Sequence, residues 1–81
     1  MDIKSPNTRT HDLGLAAALV SCGFELRTTN RDLNGRVYFA FKQVEYLAEA
    51  INEYWADTLH VPARSYSDNI KMLKSRIYAE D

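Results

Sequence analysis

Hydrophobic and polar positions change their period twice along the chain, and those changes mark out the elements. Between Leu13 and Phe24 there is no charged residue. Leu13, Ala16, Ala17 and Val20 recur there at helical spacing, with Leu15 and Leu19 filling the neighbouring strip. Thr10 stands where a hydroxyl caps a helix, Asp12 falls in the first turn where the helix dipole favours an anion, and Gly23 supplies a left-handed end. The pattern predicts a helix over about 11–22, buried on most sides. After Gly23 the period becomes two. Phe24, Leu26 and Thr28 alternate with Glu25, Arg27 and Thr29, and Val37, Phe39 and Phe41 alternate with Tyr38, Ala40 and Lys42. Asn34-Gly35 between the two runs is a strong hairpin signal. A two-residue turn there would place Asn30 and Asp32 on the face of Phe39 and Val37, so a longer or bulged loop stands as the alternative.

The second half reads as two helices. From Gln43 onward, Val44, Leu47, Ala48, Ile51, Tyr54, Trp55 and Thr58 form an amphipathic stripe, which makes Tyr54 and Trp55 core candidates. His60-Val61-Pro62 interrupts it, and Pro62 suits the first turn of a new helix. Ala63, Tyr66, Ile70, Leu73 and Ile77 then trace a narrow seam over 62–78. Residues 1–9 show no period and read as a flexible lead-in, residues 79–81 as an acidic tail, and 10–78 as one domain. The fold class is α+β: a small two-layer domain in the order α-β-β-α-α, with the β-hairpin packed against helices. A hairpin alone leaves one face and two edges open. A homodimer, through strand pairing or through the last helix's seam, would close them. A short edge protected by Arg27, Arg31 and Lys42 is the alternative.

Composition narrows the function classes. Eighty-one residues with ten Lys and Arg against eleven Asp and Glu give a net charge of −1, which argues against a disordered tail or a polybasic arm. One cysteine, Cys22, cannot form an intramolecular disulfide. The opening residues lack an apolar signal region, and the uncharged run is shorter than the roughly 20 residues of a membrane span. These features predict a cytoplasmic protein with no membrane partner. His11, His60 and Cys22 are separated along the chain, with no spacing that suits zinc and no glycine-rich phosphate loop. The expectation is a non-enzymatic protein without metal or cofactor.

Charge is sorted along the chain. Arg27, Arg31, Arg36 and Lys42 lie on the hairpin with Tyr38, and Arg64, Lys71, Lys74 and Arg76 lie on the last helix. Cations interleaved with aromatics hold phosphates and stack bases. The leading expectation is therefore a nucleic-acid-binding module that uses Arg27, Arg31, Arg36, Tyr38, Lys71, Lys74 and Arg76. Glu25, Asp32 and Asp68 dilute these groups, and the pI of about 6.1 is below that of dedicated nucleic-acid domains. Glu45, Glu49, Glu53 and Asp57 step by four with no cation among them, an arrangement that weakens an isolated helix. They read either as a solvated face or as a protein-binding stripe for a basic partner.

The runs Thr10-His11-Asp12-Leu13-Gly14-Leu15-Ala16-Ala17-Ala18-Leu19, Gly23-Phe24-Glu25-Leu26 and Arg36-Val37-Tyr38-Phe39-Ala40-Phe41, with the ending Leu73-Lys74-Ser75-Arg76-Ile77-Tyr78, are the distinctive stretches. Together they resemble a family of small uncharacterised domains of bacteria, archaea and their viruses or mobile elements, over residues 10–78. The matching positions are core, cap and turn residues, so the resemblance implies a fold and no mechanism. It also implies a phage or mobile-element origin. Small proteins of that setting act by binding, including as inhibitors of host defence proteins. The alternative expectation is such an inhibitor, acting through the acidic face Glu45, Glu49, Glu53 and Asp57.

Overall fold

The computed structural model describes residues 7–80, and its elements follow in the order β1 (Asn7–Thr10), α1 (Leu13–Ser21), β2 (Leu26–Arg31), β3 (Val37–Lys42), α2 (Leu47–Trp55) and α3 (Ala63–Glu80). The α+β class and the hairpin packed on helices are as expected. The antiparallel sheet has three strands, ordered β1-β3-β2, with β3 central. The added strand corrects the reading of 1–9 as a lead-in: Asn7, Thr8, Arg9 and Thr10 pair with Lys42, Phe41, Ala40 and Phe39. Residues 1–6 of that segment, and Asp81 of the acidic tail, lie outside the described residues. β1 takes the β3 edge that dimerisation was expected to cover.

The cap of α1 sits later than the hydroxyl signal suggested. Asp12 is the N-cap, its carboxylate accepting from the Leu15 N–H at 2.7 Å, while Thr10 Oγ1 accepts from the Asp12 N–H at 3.1 Å. At the other end Phe24 N–H donates to Leu19 O and Gly23 N–H to Val20 O, with Gly23 at φ +96°. This is the paired bonding of a helix that turns off through a left-handed residue, and it aims Phe24 back at the core. Leu15 to Leu19 are all buried. The alanines let α1 lie close to its neighbours, so a uniformly apolar helix sits in the middle of the layers.

The hairpin loop is the longer of the two expected forms. Asp32 N–H donates to Arg36 O, Gly35 N–H donates to Asp32 O, and Gly35 has φ +83°, a three-residue loop with a left-handed last residue. A bulge between Leu26 and Thr28 then changes the faces. Leu26 opposes Phe41, Thr29 opposes Phe39, and Asn30 opposes Tyr38. Thr29 rather than Thr28 therefore faces the core, since one extra residue flips every side chain beyond it. Thr29 Oγ1 is buried and has no hydrogen-bond partner among the described residues. Thr29→Val keeps the β-branched shape and removes the stranded hydroxyl. It is expected to stabilise the domain by about 1–2 kcal/mol and to raise the melting temperature by several degrees.

Phe39, Phe41, Leu19, Leu47 and Leu73 are the largest fully buried side chains. Ile70, Ile77 and Tyr66 pack against the same cluster. The α3 seam thus closes on α1 within one chain, and the expected seam-mediated dimer would have to use a face already occupied. α2 begins at Leu47, one turn after the predicted start, and buries Leu47 and Ala50. Trp55 is 61% exposed, against its expected core position, and meets the half-buried Tyr54 edge to face at 5.0 Å.

Candidate nucleic-acid interface

Alternation along β3 divides the sheet into two faces. Phe39 and Phe41 belong to the core cluster with the helices, while Tyr38 and Ala40 face the other way, where no described helix packs. On that helix-free face the registers place Arg9 beside Ala40 and Asn30 beside Tyr38. The Arg9 guanidinium lies 4.3 Å over the centre of the Tyr38 ring. Tyr38 is consequently buried, and it is the floor under an arginine rather than the open stacking platform expected from sequence. Arg9, Tyr38, Arg31, Asp32, Leu33 and Asn34 line an open groove of about 440 Å³ between the strand faces and the hairpin loop.

The loop that shapes this groove is rigidly bonded. Asp32 Oδ1 accepts from Asn34 N–H at 2.9 Å and from Arg36 N–H at 3.0 Å, and Arg31 Nη1 donates to Gly35 O at 2.9 Å. His11 bonds Val37 O through Nδ1 at 2.8 Å and approaches Asp32 Oδ2 through Nε2 at 3.5 Å. The imidazole is a strut between the start of α1 and the hairpin. The Arg36 backbone N–H holds the Asp32 carboxyl below its ordinary value, against desolvation, with help from the Asn34 N–H and from the His11 and Arg36 charges. A carboxyl lowered in the fold stabilises it above the unfolded carboxyl pKa, near 4, and that contribution disappears as pH falls through the lower folded value. Protection of the Asn34 and Arg36 amides, relative to their intrinsic exchange, is expected to fall in that acid range. In Asp32→Ala that protection should already be low at neutral pH.

A family model described as a domain of unknown function, DUF5659, matches residues 6–79. The chain belongs to that family. No curated protein and no solved structure matches it. The DUF5659 match begins before Asn7, so β1 and its Arg9 lie within the family's domain and not in a lead-in.

The remaining sequence-predicted residues are scattered over the DUF5659 fold. Arg27 occupies the β2 bulge, 3.6 Å from Glu25, and lies several residues along the ladder from Tyr38, which opposes Asn30. Arg36 is exposed just beyond the loop. Lys71, Lys74 and Arg76 are exposed on α3, which buries Leu73 on the Phe39 side of the sheet, so the sheet layer separates them from Arg9 and Tyr38. Lys71 and Lys74 share one flank of α3, and Arg76 lies on the other. The acidic set is also broken up. Glu49 and Glu53 are on α2, Glu45 precedes it, and Asp57 lies past its end at φ +62°. None of the four is in an ion pair among the described residues. No described helix is long and apolar enough to cross a membrane.

The residue that sequence reasoning missed is Arg9. Its signal was the alternation in Asn7-Thr8-Arg9-Thr10, where two β-branched residues flank one cation. Four polar residues gave that alternation too little weight.

Proposed function

We propose that this domain works by binding nucleic acid, without catalysing a reaction, through the helix-free face of its sheet. The carrying observation is the Arg9 guanidinium lying over Tyr38 in a groove that also holds Arg31. A guanidinium held over a ring keeps its outer side for an unstacked base and its N–H groups for phosphate. Arg27, Arg36 and Lys42 supply further cations around the same strands. The pI near 6.1 means that the field is local, which suits a few contacts to a single strand better than a long tract of duplex. A single thiol suits a reducing cytoplasmic setting.

Fluorescence anisotropy with single-stranded and duplex oligonucleotides over a salt series tests this reading. Three or four phosphate contacts predict a log–log salt slope of about −2 to −3 on single strands. Arg9→Ala is expected to weaken binding by about tenfold, because both the stack and a charge are lost. Lys74→Ala, on the far side of the sheet, should change it by less than about threefold. Absence of binding at low salt, or equal losses at Arg9 and Lys74, would reject the sheet face.

A second reading, a mobile-element protein that inhibits a host defence protein, is favoured by one observation: Glu45 and Glu49 are exposed and unbridged at the start of α2, an element that also carries the exposed Trp55 at its other end. Charge reversal at Glu49 and Glu53 would abolish such an interaction and spare oligonucleotide binding.

A further inference from the structure

A second cavity lies away from the sheet, where α2 ends and α3 begins. It measures about 380 Å³ and is lined by Ala18, Tyr54, Asp57, Leu59, Val61 and Tyr66. That is within the size range of small-ligand pockets. Its walls are an alanine, a leucine and a valine, with two phenols and one carboxylate as the polar groups. The phenols are hydrogen-bonded to each other. Burial, with the Tyr66 hydroxyl next, pushes the Tyr54 hydroxyl up to about 12, so it stays a neutral donor. Among the described residues no lysine or arginine lines the space.

Asp57 closes the end of α2. Thr58 N–H donates to Glu53 O and Asp57 N–H to Tyr54 O, the bonding of a helix that ends through a left-handed residue. Glycine and asparagine are commonest in that place; aspartate, which also tolerates the left-handed region, holds φ +62° here. It also sets a carboxylate at the negative end of the α2 dipole, where an anion is disfavoured, one turn beyond Glu53. Asp57 is exposed and, among the described residues, no lysine or arginine lines the cavity beside it, so its carboxylate is open to a cationic ligand. A bound cation would offset both negative charges, and the tyrosine rings suit its apolar body.

We infer that the cavity between α2 and α3 binds an organic ammonium group with a small apolar body, paired to the Asp57 carboxylate. Free amines and a lysine side chain share this chemistry. The site is independent of the sheet face and stands or falls separately from it.

The test is amide chemical-shift titration of the whole chain with phenethylamine, its neutral analogue phenethyl alcohol, its anionic analogue phenylacetate, and N-acetyl-lysine amide. Saturable shifts at Ala18, Asp57, Leu59 and Val61 are expected with phenethylamine, at least tenfold tighter than with alcohol or acid. Saturation by the lysine amide at lower concentration than phenethylamine would assign the side-chain source, and the reverse order the free amine. Asp57→Asn tolerates the same backbone and should lose at least tenfold in ammonium affinity. Asp57→Gly should lose it too while raising the melting temperature, a gain in stability coupled to loss of binding. No saturation by either amine, equal binding of the alcohol or acid, or unchanged affinity in Asp57→Asn would overturn the proposal.

Discussion

Phe39→Ala is expected to destabilise the domain by about 3–5 kcal/mol. Phe39 is 1% exposed at the middle of the central strand, opposite Thr10 on one side and Thr29 on the other. Its ring therefore meets the core beneath both strand ladders, and deleting it opens a cavity that α1 cannot fill, since Ala16 and Ala17 are already fully buried. A domain of this size has a total stability of roughly 4–12 kcal/mol, so the variant should unfold in mild urea, and at the lower end should be largely unfolded at 25 °C. Leu33→Ala is the matching control. Leu33 is fully exposed at the hairpin tip, and its loss should change the urea midpoint by no more than about 0.5 kcal/mol equivalent. A Phe39→Ala midpoint close to that of Leu33→Ala would mean that the sheet and helices are not held by one shared core.

The pattern of residues disclosed most of this architecture where a local rule and a tertiary demand agreed. Gly23 ends α1 as its sequence position indicates, and the α3 seam of Tyr66, Ile70, Leu73 and Ile77 packs as its spacing predicts. Disagreement arose where a single residue shifts the geometry. Arg27 at the bulge moves Thr29 inward in place of Thr28, and nothing in the composition of β2 distinguishes a bulge from an unbroken strand. Trp55 has core spacing on α2, yet α2 is short and leaves that flank to solvent. β1 is four residues of middling polarity that form a strand only because β3 offers an unpaired edge. Propensity does not record a partner 30 residues away.

The candidate site was legible only in part for the same reason. Arg31, Tyr38 and the loop could be read from the hairpin, but Arg9, which gives Tyr38 its partner, arrives on the strand that sequence reasoning left out. Charge counting joined the hairpin cations to those of α3, although Leu73 and Phe39 share a core that sets α3 on the opposite side of the sheet. One-dimensional charge segments carry no information about layers. The acidic stripe failed at its ends, because an i, i+4 series holds together only while the helix lasts, and α2 spans Leu47–Trp55.

Gly14→Ala is the second large effect, and here a helix rule and the packing point in opposite directions. Alanine gains up to about 1 kcal/mol over glycine inside a helix, so on propensity alone the change in α1 should stabilise. A methyl group at Gly14, however, would stand 2.6 Å from the Tyr54 hydroxyl, 3.2 Å from that of Tyr66 and 3.3 Å from Asp12 Oδ1. The Asp12 carboxylate cannot withdraw without losing its 2.7 Å bond to the Leu15 N–H. Tyr54 is held by Tyr66 through its hydroxyl and by Trp55 through its ring. Overpacking of this kind costs about 1–3 kcal/mol, which outweighs the propensity gain and should lower the melting temperature by about 5–10 °C. Tyr54→Phe alone should lose about 0.5–1.5 kcal/mol with the phenol bond. In the Gly14→Ala, Tyr54→Phe double variant the closest clash is gone, so the two losses should not add, and it should melt above Gly14→Ala alone. Additive losses would place the strain at Asp12 and Tyr66. A Gly14→Ala variant more stable than the parent would mean that the tyrosine pair swings freely, and the cavity it borders would then lack a fixed wall.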